Sequence, residues 1–131
     1  MAPLDESVNL NLHVLTREAL EHARVAFPDP LIDVEHRGEG DCEVNAGAVV
    51  TTITALLGAA LASLASGESL WIRSSGTDAT GLTVDLRWSG REPDAAKLAE
   101  AERTAASAGG TIVREPAADE HHLGFRLPRI G

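Results

Sequence analysis

Apolar and polar residues change their spacing several times along the chain, and each change marks an element. Val8, Leu10 and Leu12 alternate with Asn9 and Asn11, the period of a short strand. A helix over 16–27 follows. Thr16 stands as its N-cap, Leu15 and Leu20 take the staple positions, and Glu18 lies in the first turn, where the dipole favours an acid. Pro28 and Pro30 stop it. Residues 31–36 alternate again as a strand, 37–41 form a turn, and 42–44 a short return segment.

The longest periodic stretch is 46–65. Val49, Ile53, Leu56, Leu57, Leu61 and Leu64 recur at helical spacing, while Gly47, Thr51, Thr52, Ala55, Gly58 and Ala59 fill the rest. The helix therefore has one bulky stripe and one small-residue face. No charge occurs from 44 to 67, which is long enough to cross a bilayer. Its one-sided stripe and its threonines and serines instead predict a buried helix of a globular domain.

Residues 69–74 and 82–88 read as two strands of a hairpin with a turn over 76–81. A tight connection over 89–93 places Pro93 at the start of an amphipathic helix, 94–108, which Gly109-Gly110 terminate. Strands over 111–114 and 121–127, joined by a turn, complete the chain before Pro128. Helices must bury their stripes. This order predicts an α/β (α+β) two-layer sandwich, a mixed and mostly antiparallel sheet with about three helices on one face. With no repeat or linker, 1–131 reads as a single domain.

Composition narrows the function. At 131 residues, 44% hydrophobic and 24% charged, the chain is globular rather than disordered. The net charge is −9 and Lys97 is the only lysine, so nucleic acid and anionic membrane are poor partners. The acidic N-terminus lacks the pattern of a signal peptide, and a cytoplasmic location is expected. The single cysteine, Cys42, excludes an internal disulfide and a Cys-built zinc site. Glu120, His121 and His122 suggest no metal site, because adjacent strand residues point to opposite faces and no third ligand is spaced for it. No phosphate-binding glycine loop or nucleophile elbow is present.

The element order and several segments resemble the ATP-binding catalytic domain of two-component histidine kinases, within the GHKL (Bergerat-fold) ATPases. VNLNLHVLTREALEHA looks like the opening strand and helix, and the long helix like the one carrying the asparagine box. Leu82 to Gly90 looks like the strand ending in the first glycine box. Ala108-Gly109-Gly110-Thr111-Ile112 and Phe125-Arg126-Leu127-Pro128-Arg129 resemble the last helix end and the terminal strand.

The resemblance implies ATP with Mg²⁺ as cofactors, transfer of the γ-phosphoryl group to a partner histidine, and two protein partners: a helical dimerisation/phosphoacceptor domain and a response regulator. It places the nucleotide at Ala59, Trp88, Ser89, Gly90, Arg91, Lys97 and His121. Trp88 would stack on adenine, and Arg91 and Lys97 would reach phosphates at the start of the 94–108 helix.

The chain departs from the family at the chemistry. Ala59 stands where the family has a metal-holding asparagine, and Trp88 where it has an adenine-binding aspartate. Only 91–94 remain of the ATP lid, and no phosphoacceptor histidine with its acidic neighbour occurs. Each site residue also has a plain role: Trp88 as strand core, Arg91 and Lys97 as solvated charges, Gly58 and Ala59 as close-packing positions.

Three readings stand at this point, and the first is the one the resemblance favours. The first is a divergent ATP-binding catalytic domain, cut from a kinase or a short stand-alone relative. The second is a nucleotide-free docking module for a signalling protein, and the third an unrelated α/β binding module. The first requires a flat cleft between the long helix and the sheet, opening at 88–97.

Overall fold

The computed structural model describes residues 8–28, 30–38, 40–44, 46–64, 67–77, 81–116 and 119–127. The chain runs β1 (Val8–Asn11), α1 (Leu12–Ala26), β2 (Leu31–Gly38), β3 (Asp41–Val44), α2 (Ala46–Leu61), β4 (Ser69–Thr77), β5 (Gly81–Trp88), α3 (Ala95–Ser107), β6 (Thr111–Pro116) and β7 (His121–Leu127). One five-stranded sheet has the order β2-β4-β5-β7-β6, and β1 pairs with β3 in a separate antiparallel ribbon. β2 is parallel to β4 and every other neighbour in the large sheet is antiparallel. The fold is the mixed two-layer sandwich that the order of elements predicts.

The period of two along β5 decides where the core lies. Leu82, Val84, Leu86 and Trp88 are buried, while Thr83, Asp85 and Arg87 between them are half-buried on the other face. Leu70 and Ile72 of β4 and Leu123, Phe125 and Leu127 of β7 continue the same buried layer. Val49, Ile53, Leu56 and Leu57 of α2 join that core, as do Leu12, Leu15 and Ala19 of α1 and Ala101 and Ala105 of α3. Each fully buried Leu or Ile contributes about 1.5–3 kcal/mol.

Several boundaries differ from the sequence reading, and β2, β4 and β6 run on to Gly38, Thr77 and Pro116 through residues read as turns. α1 begins at Leu12, capped by Asn11, whose Oδ1 accepts from His13 N at 2.9 Å. Thr16 is instead a buried helical residue with its hydroxyl donating to Leu12 O at 2.8 Å. The 42–44 segment does not return along β2; it pairs with β1, in register Leu10↔Cys42, while β2 takes its whole length against β4. α2 ends at Leu61, where the N–H groups of Ser63 and Leu64 tighten onto Ala60 O and Leu61 O at 3.0 and 3.4 Å. Residues 65 and 66 lie outside the described residues. Pro93 precedes the N-cap of α3 rather than opening the helix; Asp94 is the cap, and its Oδ1 accepts from Lys97 N at 3.0 Å.

A candidate nucleotide corner and an outer groove

The short connection between β5 and α3 folds back on the end of α2. Gly90 has φ +108°, a backbone conformation open to glycine, and it turns the chain off the sheet. Arg91 N–H then donates to Ser63 O at 3.3 Å and Asp94 N–H to Ala59 O at 3.2 Å. The indole Nε1–H of Trp88 donates to Arg91 O at 2.9 Å. The His121 ring lies 5.3 Å from the Trp88 ring, and its Nε2 donates to Gly90 O at 2.9 Å. Ala59, Trp88, Gly90, Arg91 and His121 are thus in one corner.

The corner is closed on itself. Ala59 is 0% and Trp88 2% exposed, so neither the methyl group nor the indole face is open to a ligand. Among the described residues no open cleft is seen at Trp88, which is buried in the core, and α3 lies directly on α2. Thr52 Oγ1 donates to Thr104 Oγ1 at 3.0 Å across that seam, and Ala101 and Ala105 are buried in it. The cause is the short connection. Four residues, 91–94, cannot hold α3 away from a helix whose facing residues are small.

The other predicted residues lie elsewhere. Lys97 stands beside Gly58, where an added Cβ would meet its Cδ at 3.3 Å, and its ammonium is 6.0 Å from the centroid of the Phe27 ring. Ser89 is exposed and lines a hollow on the helix-free side of the sheet with Trp71, Arg87 and Glu120. The guanidiniums of Arg73 and Arg87 lie 5.0 and 4.7 Å from the Trp71 centroid. His122 faces that side too, 3.2 Å from both Asp85 Oδ1 and Glu115 Oε2. The adjacent His121 and His122 therefore diverge, as strand geometry requires.

The sequence reading missed an open groove of about 490 Å³ above α2. Its floor is the outward stripe Gly47, Val50, Thr51, Ala55 and Gly58. Glu18 and His22 of α1 form one wall, Lys97 and Glu100 of α3 the other. The small-residue face was the available signal; that two helices wall it is a tertiary fact.

No protein-family model matches the chain, and no curated protein matches it. Solved structures do. The catalytic domain of histidine kinase ThkA is 17% identical, with 95% of this chain and 97% of that chain covered, at a TM-score of 0.77. The mycobacterial sensor histidine kinase MprB is 15% identical, covering 93% and 98%, at 0.76. The ATP-binding domain of PrrB from Mycobacterium tuberculosis is 16% identical, covering 97% and 100%, at 0.76.

The chain has the fold of a histidine-kinase catalytic domain. At such identities the shared property is the path of the backbone. Within this histidine-kinase fold, the residues present do not fit Mg²⁺–ATP. Position 59 offers no side-chain oxygen, the ring at 88 is covered, and the Ala59 carbonyl is bonded to Asp94 N–H and to the Ser63 hydroxyl, at 3.2 and 2.9 Å. Among the described residues no three His, Cys, Asp or Glu side chains gather as a metal site, and no helix is long and apolar enough to cross a membrane.

Proposed function

We propose that this domain keeps the histidine-kinase catalytic fold as a nucleotide-free docking module for a signalling protein. The observation that carries the reading is the seam between α2 and α3. Asp94 N–H donates to Ala59 O, Thr52 meets Thr104, and Ala59 and Trp88 are buried, which supports a corner closed to a purine. The surface left open is the groove over α2, whose walls carry two carboxylates, Glu18 and Glu100, against one ammonium, Lys97, a balance unfavourable to a triphosphate. The partners implied by the resemblance are a helical phosphoacceptor domain or a response regulator.

The catalytic reading, with ATP, Mg²⁺ and phosphoryl transfer, draws support from one observation: Ala59, Trp88, Gly90, Arg91 and His121 do gather in one corner. Titration of ATP and ADP, with and without Mg²⁺, separates the two. The docking reading expects no heat and no change in tryptophan fluorescence up to millimolar nucleotide. Saturable binding with a Kd below about 1 mM, roughly 4 kcal/mol, returns the domain to the catalytic reading. Chemical-shift mapping with a purified helical phosphoacceptor hairpin tests the other half; perturbations should centre on Thr51, Ala55 and Glu100.

A further inference from the structure

Ser74 of β4 is fully buried, and its Oγ is the meeting point of two imidazoles. Nδ1 of His13 and Nδ1 of His36 each lie 2.6 Å from it. His13 comes from the first turn of α1 and His36 from β2, directly opposite Ser74 in the parallel register. The ring centroids are 4.8 Å apart. Nε2 of His13 is 3.0 Å from the Gly38 carbonyl oxygen. The same ring packs so closely on Gly40 that an added Cβ would stand 2.9 Å from its Cδ2.

These partners fix the protons. A carbonyl only accepts, so His13 Nε2 carries hydrogen and, in the neutral ring, His13 Nδ1 is an acceptor. The Ser74 hydroxyl must donate to it. The oxygen of Ser74 is then free to accept, so His36 Nδ1 carries hydrogen. The neutral chain runs from His36 Nδ1–H to Ser74 Oγ, from Ser74 O–H to His13 Nδ1, and from His13 Nε2–H to Gly38 O. It requires opposite tautomers in the two rings.

One added proton leaves every bond in place. It can sit on Nε2 of His36, which bonds to nothing among the described residues. A second proton does not fit. Both Nδ1 atoms would then donate to Ser74 Oγ, the hydroxyl hydrogen would lose its acceptor inside the core, and two cations would face each other at 4.8 Å.

The surrounding charges disfavour a proton on His36 as well. Arg17 of α1 is a further cation acting on His36. Glu35 and Arg37, which flank His36 on β2, pair with each other at 2.8 Å. From β4 only Ser74 faces the rings, since Arg73 lies on the other face of the sheet, over Trp71. Burial first, then His13 and Arg17, hold the pKa of His36 below its ordinary value.

We propose that His13, Ser74 and His36 form a one-proton latch that fastens the end of β2 to α1 and β4 and lets it go when a second proton arrives. β2 is an edge strand, hydrogen-bonded on one side only, and His36 is exposed, so His36 is the member that leaves. Acidification thereby frees the strand end without unfolding the central hairpin.

Long-range ¹H–¹⁵N spectra of the imidazoles, recorded from about pH 8 to about pH 4.5 together with amide exchange, test the latch. The expected result is an Nε2–H tautomer for His13 and an Nδ1–H tautomer for His36 at the alkaline end. Protons should enter the pair in two coupled macroscopic steps rather than independently. At the second step, exchange at residues 34–38 should rise at least about tenfold relative to β5 and β7. In His36→Gln the second step should vanish and β2 should stay protected in acid. Equal tautomers, two independent titrations, or exchange in β2 that ignores the second step would overturn the proposal. The wild-type spectra decide the matter even if the variant does not fold.

Discussion

The backbone N–H of Asp94 donates to the carbonyl oxygen of Ala59 at 3.2 Å. Both groups are orphans of helix ends. Ala59 belongs to the last turn of α2, where carbonyls lack an intrahelical partner, and Asp94 caps α3. Three residues earlier, Arg91 N–H meets Ser63 O in the same manner. The C-terminal end of one helix is therefore satisfied by the chain entering the next, and the partial charges of the two ends attract. Opening this seam would cost about 0.5–1.5 kcal/mol for each of the two bonds, before any exposure of Trp88.

Restoring the missing side chain should therefore not restore a nucleotide site. In Ala59→Asn the carboxamide must enter a position that is 0% exposed, between two packed helices. Overpacking of that kind costs about 1–3 kcal/mol. The expected outcome is a lower urea midpoint and no Mg²⁺-dependent heat with ATP in calorimetry. Gain of ATP affinity would mean that α3 lifts off α2 readily.

Asp94→Ala removes the acceptor for Lys97 N–H, a bond of 3.0 Å at the start of α3. Loss of an aspartate N-cap costs about 0.5–2 kcal/mol. The backbone bond to Ala59 survives the substitution, so the loss should stay within the capping range. Denaturant unfolding measures it, and Asp94→Asn should recover most of the stability.

How far the sequence carried depended on how local each determinant is. The period of two through Leu82, Val84, Leu86 and Trp88 made β5 legible with its buried face, because strand alternation is a property of neighbouring residues. The stripe through Val49, Ile53 and Leu56 did the same for α2. The start of α1 was not legible, since Asn11 and Thr16 are both capping residues. The choice falls to Asn11 through contacts remote in sequence, among them Leu12 N–H on Gly40 O at 2.6 Å. The order of elements brought out the 88–91 connection as a corner of interest, yet its closure was not legible, although four residues in place of a lid were its cause. Nothing in the chain announced that Ser74, 61 residues from His13 and 38 from His36, joins the two rings; the parallel register of β2 on β4 does that.

Two glycines of the helix layer should respond in opposite senses to alanine. At Gly58, inside α2, the new Cβ would meet only the flexible Lys97 side chain, at 3.3 Å from Cδ. Lys97 is exposed and can move, so the gain in helix propensity, about 0.8–1.0 kcal/mol, should dominate. At Gly110, beyond α3, the Cβ would stand 2.5 Å from Arg126 O and 2.7 Å from Phe125 Cε1. A sheet carbonyl cannot withdraw, and the clash should cost about 1–3 kcal/mol. Thermal unfolding of Gly58→Ala and Gly110→Ala reads both signs directly.

The pH dependence of stability follows from His36. Its pKa is lowered in the folded protein, chiefly by burial and then by His13 and Arg17, from an ordinary value of 6.5. A histidine with a depressed folded pKa binds its proton more readily when unfolded. Stability from this group is thus complete above pH 6.5 and falls as the pH drops from 6.5 toward the folded value. Below the folded value the loss is complete and constant. Other groups titrate in the same range, so the check is a difference. Urea unfolding of wild type and His36→Gln, compared at about pH 7.5 and about pH 5, should show wild type losing more stability on acidification. Equal losses in the two proteins would show that His36 carries no such linkage.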